Sequence, residues 1–119
     1  MLNLDTHILL HALGGRLSNA ESRLLADQPW GISAIVLWEI AKLAQLGRIL
    51  VNLESPRLLD MVRRVHIWPI DVTVCQAVGT LDFRSDPADE LIAATSVVHN
   101  VPLVTRDRAI RRSKRVPLA

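Results

Sequence analysis

Six acidic residues stand where carboxylates could act together: Asp5 directly after LNL, Glu39 inside IVLWEIA, Asp86, Asp89 and Glu90 within DPADE, and Asp107 just past LVT. LNL and LVT read as short buried strands, and open parallel sheets bind ligands beyond the carboxyl ends of their strands. Asp5 and Asp107 occupy two such ends. Asp86, Asp89 and Glu90 open a helix that the topology brings to the same edge, whereas Glu39 is a lone charge in an apolar helical segment. Singly, each acid has an ordinary role. Asp5 and Asp107 suit N-caps, worth about 1 kcal/mol each. Asp89 and Glu90 complement a helix dipole, and Glu39 could pair with Lys42 one turn on. Together they repel, by about 4 kcal/mol for a pair at roughly 4 Å and an effective dielectric near 20. A cation between them removes that cost. Oxygen-only ligands select a hard ion, Mg²⁺ or Mn²⁺, and such a centre activates water and clamps a phosphodiester.

The elements that must position these acids follow from local signals. Met1–Leu4 predicts a strand, Thr6–Leu13 a helix stopped by Gly14-Gly15, and Ser18 the cap of a helix to Ala26. Trp30–Ser33 predicts a second strand, with Ser33 capping a helix from Ala34 to Leu46, and Ser55-Pro56 opens a helix to about Val65. His66–Ile70 reads as a strand and Val72–Leu81 as a helix. Asp86-Pro87 starts a helix through Val98 that is apolar nearly all round, and therefore central. Pro102–Thr105 gives a fourth strand, Asp107 begins a short helix, and Arg115–Leu118 offers a fifth strand. This alternation predicts one domain over 1–119, a three-layer α/β/α sandwich around a mostly parallel sheet.

Composition agrees with a single core. Of 119 residues half are apolar and 22% charged, which excludes disorder, and no apolar run reaches membrane-spanning length. The opening MLNLDTH lacks the pattern of a signal peptide, so a soluble, cytoplasmic protein is expected. Net charge is +2, but unevenly placed: Arg106, Arg108, Arg111, Arg112, Lys114 and Arg115 face only Asp107 in the last fifteen residues. That basic end suggests a polyanionic partner, with a solubilising tail as the plain alternative.

Other candidates are weaker. His7 and His11 share a helix face at zinc-binding spacing but lack the HExxH pattern, and read as packing or surface residues. Cys75 has no basic neighbour and reads as structural. Neither Ser33 nor Ser96 sits in a nucleophile motif. Trp30, Trp38 and Trp68 fall in or beside apolar segments and are expected in the core or an interface. Ile49–Leu59, with Arg48, Arg57, Arg63 and Arg64 nearby, could form an edge where a partner helix or a second copy of the chain packs as a homodimer.

LDTH at 4–7, SAIVLWEIAKL at 33–43, DPADELIAATS at 86–96 and LVTRDR at 103–108 together resemble the PIN domain, and within it the VapC-type toxin ribonucleases. The resemblance implies an α/β/α fold, hydrolysis of RNA with Mg²⁺ or Mn²⁺, and silencing by a small cognate antitoxin. Matched motif by motif, it assigns Asp5, Glu39, Asp89 and Asp107 as catalytic metal ligands. Thr105 matches a hydroxyl that holds the last acid's loop, and Asp86 an acid before Pro, read mainly as the helix cap. The basic residues from Arg106 to Arg115 are then the candidate RNA contacts. Three departures stand out: Glu90 replaces a usual basic residue, Ile110 a frequent aromatic, and the segment between Gly47 and His66 is short. A catalytically inactive PIN-like module that binds RNA or protein is the alternative, and retention of all four acids favours the enzyme.

Overall fold

Capping residues cut this chain into its elements. In the computed structural model, which describes residues 1–119, β1 (Leu2–Leu4) leads into α1 (Thr6–Gly14), then α2 (Asn19–Ala26), β2 (Trp30–Ser33) and α3 (Ala34–Gln45). After these come α4 (Pro56–Arg64), β3 (His66–Trp68), α5 (Val72–Val78), α6 (Pro87–His99), β4 (Leu103–Val104) and α7 (Arg108–Arg111). Asp5, Ser18, Ser33, Asp71 and Asp107 each accept a backbone N–H from the helix they precede, satisfying a donor that the helix leaves free. Ser18 forms a reciprocal capping box with Glu21. Gly15 closes α1 in the left-handed conformation at φ 68°.

The four strands are all parallel, in the order β3-β2-β1-β4. The chain steps outward from β1 to β3, then crosses the sheet through α5 and α6 to lay β4 on the other side of β1. That reversal opens a crevice at the carboxyl ends of β1 and β4, the place where such sheets bind ligands. Leu2, Leu4, Ile32, Leu103 and Val104 feed the main core with Ile8, Leu9, Val36, Ile40, Leu58 and Ile92 from the helices. Each such side chain contributes roughly 1.5–3 kcal/mol on burial. Asn3, wholly buried in β1, donates to the Ile92 carbonyl at 3.1 Å and to Ser96 Oγ at 2.9 Å. This pins α6 across the sheet. Gly31 is required where β2 passes β3, because a Cβ there would lie 2.5 Å from the Trp68 ring.

Three expected elements shrink, the fourth strand to Leu103–Val104 among them, and one disappears. Pro69, which has no N–H, ends β3 at Trp68, and Gly79 ends α5 at Val78. The anticipated fifth strand is a single parallel bridge, Leu103 to Leu118, because Pro117 cannot donate to a longer ladder. No helix is long and apolar enough to cross a membrane.

Candidate active site

Asp5 leaves the end of β1 buried, with one carboxylate oxygen accepting the Ile8 N–H at 3.0 Å. Its other oxygen accepts from Thr105 Oγ1, just past the end of β4. The Thr105 hydroxyl in turn accepts the Asp107 N–H at 3.0 Å, so one side chain links the first and fourth acids. Asp107 caps α7 through Ile110 N at 3.0 Å. The capping roles of Asp5 and Asp107 and their place at the crevice therefore coexist.

Glu39 sits half-buried in the second turn of α3 and accepts from Thr6 Oγ1. It does not pair with Lys42, which donates to Gln45 at 2.8 Å. Asp89, in the first turn of α6, accepts from Ser85 Oγ at 3.1 Å. Burial, together with the charges of Glu39, Asp107 and Asp5, pushes its carboxyl up from 3.8 to about 6, against the opposing Ser85 hydrogen bond. Asp89 thus feels the other three acids as one negative field. The four arrive from four separate elements.

Glu90 turns elsewhere: its carboxylate accepts the Ser85 N–H at 3.1 Å. Adjacent helical residues diverge by about 100°, so Asp89 and Glu90 take different faces. Asp86 departs from expectation. It holds the N-cap position of α6, yet its exposed side chain makes no capping hydrogen bond, and Glu90 secures the preceding loop instead.

The donor set fits a hard divalent cation: four carboxylates, oxygen only, none in an ion pair with Lys or Arg. As the side chains stand, no three acids close on one point tightly enough to hold an ion. Three of them are instead turned to hydroxyls, Asp5 to Thr105, Glu39 to Thr6 and Asp89 to Ser85. Thr6 and Ser85 escaped the sequence reading. The available signal was a hydroxyl residue beside or one turn before an acid.

The basic end divides. Arg106 is committed to Glu21, with nitrogen–oxygen distances of 2.6 and 2.9 Å, and this pairing holds the Glu21 carboxyl down at about 2. Arg111 donates to the Thr105 carbonyl at 3.1 Å and braces the loop of the fourth acid. Arg108, Arg112, Lys114 and Arg115 are exposed and outside any ion pair. Elsewhere, Cys75 is an exposed free thiol on α5. Trp68 is buried and Trp30 is half-buried, its Nε1 donating to the Leu25 carbonyl at 2.8 Å. Trp38 lies 55% exposed on α3 and is not part of the core.

Ribonuclease VapC22 of Mycobacterium tuberculosis is 36% identical over 116 residues, spanning 91% of this chain and 88% of that protein. The VapBC2 structure from Rickettsia felis, bound to a DNA fragment from their promoter, covers all of this chain and 98% of its own with a TM-score of 0.75 at 21% identity. A toxin–antitoxin complex from Klebsiella pneumoniae gives 0.72 at 19% identity, with 94% and 92% covered. These two likenesses show the fold. The model of the PIN domain matches residues 3–116, nearly the full length that holds the four acids, and the chain belongs to the PIN-domain family.

Proposed function

We propose that this chain is a divalent-metal-dependent endoribonuclease and the toxin half of a toxin–antitoxin pair. The observation that carries the reading is the set of four carboxylates, Asp5, Glu39, Asp89 and Asp107, delivered by four separate elements with none of them in an ion pair with Lys or Arg, and the raised carboxyl of Asp89 agrees with their mutual field. Identity to a ribonuclease of the VapC type supports RNA as the substrate, and the toxin–antitoxin complexes of the same fold support a small antitoxin as partner.

Asp5, Glu39, Asp89 and Asp107 would hold Mg²⁺ or Mn²⁺. When bound, the ion lowers the pKa of a water and offsets negative charge on the phosphodiester. The chain's own residues do the placing. Thr105 fixes Asp5 relative to Asp107, Thr6 fixes Glu39 against the start of α1, and Ser85 aims Asp89. Asp89, although raised to about 6, is still mostly ionised at pH 7, as a metal ligand has to be.

Incubation of total RNA with purified protein in Mg²⁺, Mn²⁺ or EDTA tests this. Cleavage should need the metal and vanish in Asp89→Asn and Asp5→Asn while circular dichroism is unchanged. Full Mg²⁺-dependent activity in either variant, or activity in EDTA, would overturn the proposal. Co-purification with the product of a short reading frame directly upstream tests the antitoxin.

A further inference from the structure

The first helix carries a cationic surface that the acid edge does not use. A groove of about 420 Å³ runs between α1 and the segment 48–51 that follows α3. His7, His11, Arg16, Arg48 and Arg57 line it over an apolar floor, and no acidic residue does. His7, in the first turn of α1, lines one end of the groove, and Asp5 is the N-cap of that same helix, so this end lies near the acid edge although no acid lines the groove itself. At the other end it reaches Arg57, whose guanidinium is anchored to the Leu13 carbonyl at 2.8 Å. Leu50 on its rim is fully exposed, which leaves an apolar surface beside the cations. Burial first, then nearby Arg106, His7 and Arg16, hold the proton affinity of His11 below the ordinary value against the opposing charge of Glu21, so Arg16, Arg48 and Arg57 carry the charge of the groove.

A phosphodiester placed among four carboxylates meets repulsion, and the flanking strand needs positive charge close by. Part of the C-terminal basic segment is already spent on internal contacts, through Arg106 and Arg111. The α1 groove has the right sign, starts on the helix that Asp5 caps, and offers an apolar wall. We propose that single-stranded RNA leaving the acid edge runs along this groove, with Arg16 and Arg48 neutralising backbone phosphates and Leu50 covering a sugar or base. This rests on the ribonuclease reading above and adds the path that the substrate takes.

The test is fluorescence anisotropy of a labelled single-stranded oligoribonucleotide with the whole chain in EDTA, across a salt series. Four proteins are compared: wild type, Arg16→Gln with Arg48→Gln, Arg16→Lys with Arg48→Lys, and Arg112→Gln with Lys114→Gln. Each phosphate neutralised on a single strand contributes about 0.7 to the salt slope, so the groove Gln pair should lower it by about 1.4. The Lys pair, which keeps the charge, should retain the wild-type slope and excludes misfolding as the cause. An unchanged slope in the groove Gln pair overturns the proposal, and a fall confined to the Arg112/Lys114 pair would move the path to the C-terminal segment. Unchanged RNA affinity with weakened binding of polyglutamate would reassign the groove to an acidic protein segment. Wild type that cleaves RNA with Mg²⁺ while the groove Gln pair binds normally sinks this inference alone. Wild type with no RNA affinity sinks the ribonuclease reading with it.

Discussion

Thr6 donates its hydroxyl to Glu39, so the residue beside the first acid of the crevice holds the second, 33 positions away. The same arrangement recurs where Thr105 serves Asp5 and Ser85 serves Asp89. Hydrogen bonds to a carboxylate favour its charged form and restrict its rotamer, and both serve a group that is to act as a metal ligand. The crevice is therefore organised by hydroxyls and helix N–H groups rather than by salt bridges.

Thr105 is the most connected of these hydroxyls, being buried and bonded to both Asp5 and the Asp107 N–H. Thr105→Ala leaves both groups short of a partner and should cost about 1–3 kcal/mol in urea unfolding. Cleavage should fall more steeply than in Thr105→Ser, which keeps the hydroxyl. Equal activity in the Ala and Ser variants would show that the hydroxyl positions nothing.

Asp89 gives a pH signature in metal-free protein. Its folded carboxyl titrates near 6 against an ordinary 3.8, so between those values the folded state binds more protons than the unfolded one. Its contribution to stability is full below about 3.8, drains away as pH rises through 6, and leaves ionised Asp89 as a net cost at pH 7. Asp89→Asn should therefore melt higher than wild type at pH 7, with the difference closing as the pH falls towards 4. Ser85→Ala, which removes the hydrogen bond opposing the shift, should move that crossover to higher pH. Melting curves across pH without metal decide it, and a wild type more stable than Asp89→Asn at pH 7 would contradict the account.

Glu21 has the opposite sign. Arg106 holds its carboxyl at about 2 against an ordinary 4.5, so the stabilisation is present above 4.5 and lost as the pH falls through 2. Arg106→Gln should lower the melting temperature at pH 7 by a salt-sensitive amount, and the two proteins should converge near pH 2. If Arg106→Gln matches wild-type stability throughout and loses only RNA affinity, then Arg106 belongs to the substrate path.

Element identity was legible because its signals are local. Asp5, Ser18, Ser33 and Asp107 cap the helices that their spacing announced, and Pro56 and Pro87 stand at first helical positions. The acids of the crevice were legible because a charge among apolar neighbours, as at Glu39, needs a reason. What stayed hidden depends on rotamers and distant partners. Nothing in the sequence pairs Arg106 with Glu21 or leaves Asp86 uncapped while Glu90 takes the Ser85 N–H. The side of α3 that exposes Trp38 depends on how helices cross, which apolar periodicity alone leaves open.

Because β4 lies beside β1 rather than beside β3, Thr105 and Asp5 meet across 100 residues of chain. Contacts so remote in sequence close late, since the loop entropy must be met before they stabilise anything. A polypeptide emerging from the ribosome as far as residue 102 already contains Asp5, Glu39 and Asp89, yet lacks the strand, the hydroxyl and the last acid that turn them into one crevice. The order of the strands thus acts as a timer on maturation: until the final strand docks, Asp5 has no Thr105 hydroxyl to hold it and the crevice lacks its fourth acid.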